Sequence, residues 1–209
     1  MELAGLIDRA LAPPEPGDAG DPTRERILDA SLAEAAAVGL ERMTVEDVVR
    51  RTGLGRMTVY RRFPRRDDLV EALLLRECRR FLAAVSAALE GDGDPEQRVA
   101  ASFTAAMAFV RAHPLTRRAA DSEPGTVLDV VAAGDGRILA MGREFIAGQI
   151  AAGHPGADPR RVTQVADVVA RLFVTYVGIP PQDPDPADEA ALEAFARRTL
   201  VPLLAQAVD

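Results

Sequence analysis

Between Thr44 and Phe63 the chain reads as two short helices separated only by Gly53-Leu54-Gly55, and this tight pairing limits the fold more than any other feature. Thr44-Val45-Glu46-Asp47 is a capping-box-like start, and Val45, Val48 and Val49 then share one side of a helix that reaches Thr52. Glycine at 53 suits a chain that reverses between two packed helices. The next helix covers Arg56 to Phe63, where Pro64 disfavours helical geometry at the residue before it. Leu54, Val59 and Phe63 are its apolar anchors, which leaves Arg56, Met57, Thr58, Arg61 and Arg62 to project outward. A short helix, a glycine turn and a short basic helix make a helix-turn-helix, whose second helix is built to enter the major groove of duplex DNA.

The rest of the chain is also helical in pattern. Asp21-Pro22 joins an N-cap to proline at the first helical position, and that helix runs to Val38, where Gly39 stops it. A fourth helix begins near Arg66, with Asp67, Asp68 and Glu71 suited to its positive end, and continues towards Glu90. The Gly91 to Pro95 break leads to a helix from about Glu96 to Ala112, which His113-Pro114 ends. A short helix to Ser122, another over Thr126–Ala133, a Gly134-Asp135-Gly136 loop and a helix over Arg137–Ala152 follow. Asp158-Pro159 opens a helix carrying Val162, Val165, Val169, Leu172, Phe173 and Tyr176. After a loop from Pro180 to Pro186, Asp188 opens the last helix, whose apolar face is Leu192, Phe195, Thr199, Leu200 and Leu203. With no repeat and no strand of convincing length, the fold class is all-α.

Charge separates one part of the chain from the rest. The net charge is −7, which by itself argues against a nucleic-acid partner. Yet residues 50–66 contain Arg50, Arg51, Arg56, Arg61, Arg62, Arg65 and Arg66 and no acid, which leaves −14 for the remainder of a chain totalling −7. A basic island on an acidic body binds DNA locally while the body repels phosphate elsewhere. Hydrophobic residues make up 48% of the chain, enough for a globular core.

On these residues the segment TRERILDASLAEAAAVGLERMTVEDVVRRTGLGRMTVYRRFPRRDDLVEAL, residues 23–73, resembles the DNA-binding region of the TetR family of bacterial transcriptional regulators. The matching positions are Ile27, Leu28, Gly39, Thr44, Val48, Gly53, Thr58, Val59, Tyr60, Phe63, Arg66 and Leu69. The sequence departs from the family at Gly55, where serine is common, and at Met57, where a small residue is common. The resemblance implies a TetR-like fold, with an N-terminal three-helix DNA-binding domain and a C-terminal helical domain for ligand binding and dimerisation. The expected divisions are a flexible arm over 1–22, the helix-turn-helix domain over 23–68 and the effector and dimerisation domain over 69–209. The arm is net −4 and is not expected to touch DNA.

The resemblance also assigns roles. Thr44, Tyr60 and Arg66 would touch phosphates. Arg56, Met57 and Thr58 would read bases, since arginine bonds guanine twice and methyl groups meet the thymine methyl. Arg61 and Arg62 could do either. The last two helices would pair with those of a second copy, and a homodimer reads an inverted-repeat operator with half-sites about 34–36 Å apart. Phe103, Met107, Met141, Phe145, Phe173 and Tyr176 are candidate lining for a small apolar or amphipathic effector that releases the DNA. A stripe of this kind equally describes plain core. Repression is the mode the resemblance implies, and activation stays open.

Other classes are poorly supported. There is no Ser-His-Asp order, no phosphate-binding glycine loop and no metal-ligand spacing, so neither catalysis, a cofactor nor a metal is expected. His113 and His154 stand beside proline at helix ends and read as capping or surface residues. Cys78, the lone cysteine, excludes an internal disulfide. No apolar run reaches the roughly 20 residues of a membrane span, and Glu2 and Asp8 spoil a secretory signal, so a cytoplasmic, nucleoid-associated protein is expected. The rival to an operator-binding regulator is a helical ligand-binding or interaction module without DNA binding.

Overall fold

The computed structural model describes residues 20–122, 137–179 and 181–208. Most of the N-terminal arm, the helix expected over Thr126–Ala133, the Gly134-Asp135-Gly136 loop and the side chain of Met141 lie outside the described residues. Among the described residues every regular element is a helix. The chain belongs to two compact units, one holding 20–80 with 113–122 and the other 81–112 with 137–208.

The first unit contains α1 (Pro22–Val38), α2 (Val45–Thr52), α3 (Arg56–Arg62), the start of α4 (Arg66–Leu89) and α6 (Pro114–Ser122). Local chemistry sets their ends. Asp21 caps α1 by accepting from the Thr23 N–H at 2.9 Å, with proline just inside. Gly39 follows α1 at φ 94°, and Gly53 follows α2 in the left-handed conformation at φ 65°, both favouring residues without a Cβ. Phe63 was expected inside the third helix. It is instead the cap, extended at φ −133°, because Pro64 pushes the preceding residue out of the helical region. Arginines close two of these ends. Arg26 donates to the Thr52 carbonyl at 2.7 Å, and Arg118 of α6 donates to the Ala37 carbonyl at 2.7 Å. Ile27, Leu28, Met43, Val48, Val59, Phe63, Leu69 and Leu73 form the core, each buried to 2% exposure or less.

The second unit contains α5 (Pro95–Ala112), α7 (Arg137–Gly153), α8 (Pro159–Gly178), α9 (Glu189–Phe195) and α10 (Val201–Ala205), as well as the end of α4. Its core joins Phe103 and Met107 of α5 to Val162, Val165 and Val169 of α8 and to Leu192 and Leu200. Helices α7 and α8 approach closely, so a Cβ on Gly142 would sit 3.4 Å from that of Ala170.

The last helix, expected to be continuous, is interrupted. Ala196–Leu200 forms a π turn in which the Val201 N–H reaches back five residues to the Ala196 carbonyl. Pro202 accounts for this. It has no N–H for the Arg198 carbonyl and its ring would strike that group in an ordinary α turn, so the wider turn relieves the clash. No described helix is long and apolar enough to cross a membrane.

Candidate nucleic-acid interface

Helix α3 has one buried side and one exposed side. Val59 is fully buried and Phe63 is 2% exposed, four residues on, whereas Met57 is 79% exposed. Burying two such side chains supplies about 1.5–3 kcal/mol each, enough to hold a seven-residue helix that would not survive alone. The Met57 side chain gains little from the fold and is sterically free to make a contact. Arg56 and Arg61 share the exposed side, Thr58 and Tyr60 are half-buried, and the N-cap Gly55 offers no side-chain cap.

The arginines differ in what they already hold. Arg62 donates to the Asp21 carboxylate at 2.8 Å, tying the end of α3 to the cap of α1. That bond comes first among the causes that keep the Asp21 carboxyl below its ordinary value. Arg65 pairs with Asp68 at 2.7 Å, Arg51 with Glu34 at 2.7 Å, and Arg50 with Asp47. Arg61 is exposed and, among the described residues, has no acidic partner within ion-pair distance. Among the described residues the island is therefore less positive in the fold than its seven arginines suggest, and Arg61 is its unspent cation.

Arg66, expected at phosphate, is turned into the unit. Its guanidinium donates to the carbonyls of Met43 at 2.9 Å, Glu41 at 3.1 Å and Leu40. It thereby closes the connection between α1 and α2. Arg66→Ala is expected to destabilise the protein by about 1–3 kcal/mol in urea unfolding, since it orphans several carbonyls of one turn. Lysine should not restore the loss, because one ammonium cannot span carbonyls that a fork reaches.

Thr44 is exposed at the N-cap of α2 and completes a capping box with Asp47, each side chain accepting the other's backbone N–H at 3.2 Å. The Thr44 hydroxyl also donates to Asp47 and is the main cause that holds that carboxyl below its usual range. Tyr60 packs its ring against the core and donates its hydroxyl to Glu46 at 3.3 Å. Arg56 lies over that ring, 5.2 Å from its centre, and pairs with the same Glu46 carboxylate at 3.4 Å. Glu46 was read in the sequence only as part of a helix start. Its distance in sequence from Arg56 and Tyr60 leaves no local spacing signal.

The expected effector residues lie in the second unit. Phe103 and Met107 are buried in its core, and Phe145, Phe173 and Tyr176 are half-buried. Phe103 meets Tyr176 at 6.5 Å and Phe195 at 6.0 Å, whereas Phe173 pairs with Phe81 at 5.9 Å. Phe81 and Phe195 thus join the aromatic groups, and Phe195 was read in the sequence only as part of a helix face. Among the described residues no His, Cys, Asp and Glu cluster is suited to a metal.

Comparison with known proteins agrees with this geometry. Residues 27–73 match the family described as bacterial regulatory proteins, tetR family. The HTH-type transcriptional repressor KstR of Mycolicibacterium smegmatis is 38% identical over 76 residues, which are 36% of this chain and 37% of that relative. The aligned segment therefore spans little more than a third of the relative's length. The crystal structure of the TetR family repressor AlkX from Dietzia sp. superposes with a TM-score of 0.62 at 19% identity, covering 88% of this chain and 98% of that one. The fatty acid degradation regulator FadR from Bacillus halodurans gives 0.52 at 15% identity, over 83% and 94% of the two chains. At these identities the structures speak to the fold. Residues 27–73 are thus similar to the DNA-binding segment of the tetR family of bacterial regulatory proteins, and the all-helical fold along most of the chain is that of solved TetR family structures.

Proposed function

We propose that this chain is a ligand-responsive transcriptional regulator that binds an inverted-repeat operator as a homodimer and represses until a small apolar effector releases it. The observation that carries the reading is the exposed side of α3. Arg56, Met57 and Arg61 stand out from a helix whose other side is locked by Val59 and Phe63. The reading helix of a helix-turn-helix needs that division, with a packed side that fixes its angle and an exposed side that meets bases and phosphates. Arg56, Met57 and Thr58 are the base readers in this scheme, and Thr44, Tyr60 and Arg61 the phosphate contacts. Arg62 and Arg66 act mainly by holding the reader in shape, given the partners they already have. The repressor KstR, similar over the reading segment, supports the negative sign of regulation.

The aromatic and methionine residues of the second unit support an apolar effector. Such a ligand acts only through unequal affinity for DNA-bound and released states, typically a coupling of about 1–3 kcal/mol. The homodimer would use α8 and the helices from Glu189 onward.

The test is selection of bound duplexes from random DNA, followed by binding measured over a range of salt. A palindromic site with half-sites about one helical turn apart is expected. Arg61→Ala should weaken binding to all duplexes alike and reduce the salt slope by about 0.9, the signature of one lost phosphate contact. Recovery of no enriched sequence would remove the operator reading and leave a helical interaction module.

A further inference from the structure

Glu46 places a negative charge within the basic reading surface. Its carboxylate is 46% exposed, so the fold does not bury it for stability. It stands at the second position of α2, where the helix N-terminus favours an anion. One of its oxygens, Oε2, accepts from the Tyr60 hydroxyl at 3.3 Å and lies 3.4 Å from Arg56 Nη2. The Arg56 guanidinium in turn lies over the Tyr60 ring at 5.2 Å. Three groups from two helices therefore close a triangle around the first residue of α3. The carboxylate and the ring constrain the guanidinium from two directions.

We propose that Glu46 is a specificity-determining positioning residue, which holds Arg56 for guanine and opposes its use on phosphate. This rests on the operator-binding reading above and concerns the same surface. The physical case compares acceptors. A phosphate offers Arg56 and Tyr60 much what Glu46 already offers, one negative charge shared by two oxygens, so exchanging one for the other gains little. Glu46 would also be left facing a phosphate of its own sign. Guanine presents two neutral acceptors, O6 and N7, that match two N–H groups of one arginine. A guanidinium held over the Tyr60 ring can make that pair without losing the ring and without repelling Glu46. The carboxylate thus penalises every sequence through charge, and guanine at one position is the partner that recovers the loss. Discrimination arises from the repulsive element as much as from the attractive one.

The experiment uses the full chain and two duplexes of equal length, a palindrome recovered by selection and a scrambled version of it. Glu46→Gln keeps the shape, leaves the Thr44–Asp47 capping box in place and removes the charge. Its affinity for the scrambled duplex should rise about three- to fivefold at moderate salt. The salt slope on that duplex should steepen by about 0.9, as Arg56 turns to a phosphate. Affinity for the palindrome should change less, so the ratio between the two duplexes falls about threefold, with the relaxed preference confined to the base pair that Arg56 reads. In an Arg56→Ala background the same glutamine should raise affinity for both duplexes alike and leave their ratio unchanged, because nothing remains to position. An unchanged ratio and slope would overturn the proposal, as would an equal effect of the glutamine with and without Arg56, since that would make Glu46 only a diffuse charge. If the unaltered protein prefers neither duplex, the operator reading falls and this proposal with it. If it prefers the palindrome and the glutamine variant prefers it just as strongly, only the proposal about Glu46 falls.

Discussion

Phe63→Ala is expected to destabilise the protein by about 3–5 kcal/mol and to abolish operator binding at ordinary temperature. Phe63 is 2% exposed and sits in the core with Ile27, Leu28, Val59 and Leu69. Its ring is also the platform for Arg24, whose guanidinium lies 5.0 Å from the ring centre. Truncation removes transfer free energy and leaves a cavity that cannot collapse readily. The residue is held on one side by its N–H bond to the Val59 carbonyl at 2.9 Å and on the other by Pro64. The effect on DNA should exceed what lost contact explains, because Phe63 touches no base in the scheme above. It sets the exit of α3, and a small rotation there displaces Arg56 and Met57. Phe63→Leu keeps most of the volume and should cost less than about 1.5 kcal/mol. Urea unfolding followed by circular dichroism gives the stability, and binding to the selected palindrome gives the function. An alanine variant with unaltered stability would show that the ring is not an anchor of the reader.

Sequence made the helices legible and left the charge pairing hidden, for a physical reason. Helix ends are local events. Asp21-Pro22, Thr44 with Asp47, and Gly53 each act within a few residues, so their signals lie close together in the chain. The amphipathic side of α3 follows in the same way from Val59 and Phe63, one turn apart. Arginine bonds to carboxylates and carbonyls include distant as well as local ones. Arg62 finds Asp21 across 41 positions, Arg66 reaches Leu40 across 26, and Arg51 finds Glu34 across 17. Counting charges along residues 50–66 therefore gives too high an estimate of the unspent charge of that segment. The same limit explains why Glu46 was missed, because its partners come together only when α2 and α3 pack. The π turn before Pro202 was not expected, since the apolar spacing of the last helix runs on through it and the choice between a kink, a break and a widened turn depends on packing around Leu200, which is 1% exposed. In the second unit, apolar spacing identified the buried side of α5 and α8. Periodicity is the same for a core and for a ligand pocket, so it could not separate them.

The second large effect is expected at Arg76, a buried charge that joins three helices of the first unit. It is 8% exposed and Glu77 beside it is 7% exposed. Arg76 donates to Glu77 at 2.8 Å and to Asp29 of α1 at 2.8 Å, and pairs with Glu25 at 3.3 Å. The other Glu77 oxygen lies 3.2 Å from His113 Nε2, at the start of α6. Burial pushes the Glu77 carboxyl up, but the His113 hydrogen bond and the charges of Arg76 and Arg80 outweigh it, and the group sits below its ordinary value of 4.5. A carboxyl lowered by folding contributes stability that is present above its unfolded value and lost as the pH falls through its folded value. The Glu77 contribution should therefore be complete above about pH 4.5 and fade below it. Arg76→Ala leaves that carboxylate buried with less compensation and should cost about 3–5 kcal/mol at neutral pH. It should also raise the Glu77 carboxyl, so acid unfolding begins at a higher pH than in the unaltered protein. Replacing both partners, Arg76→Met with Glu77→Leu, removes the buried charges together and should recover most of the loss, since Glu25 and Asp29 are exposed enough to return to water. Parallel urea and acid titrations of the three proteins decide the matter. If the double variant is no more stable than Arg76→Ala, the cost comes from lost packing and tethering of α1, and the buried carboxylate is not its source.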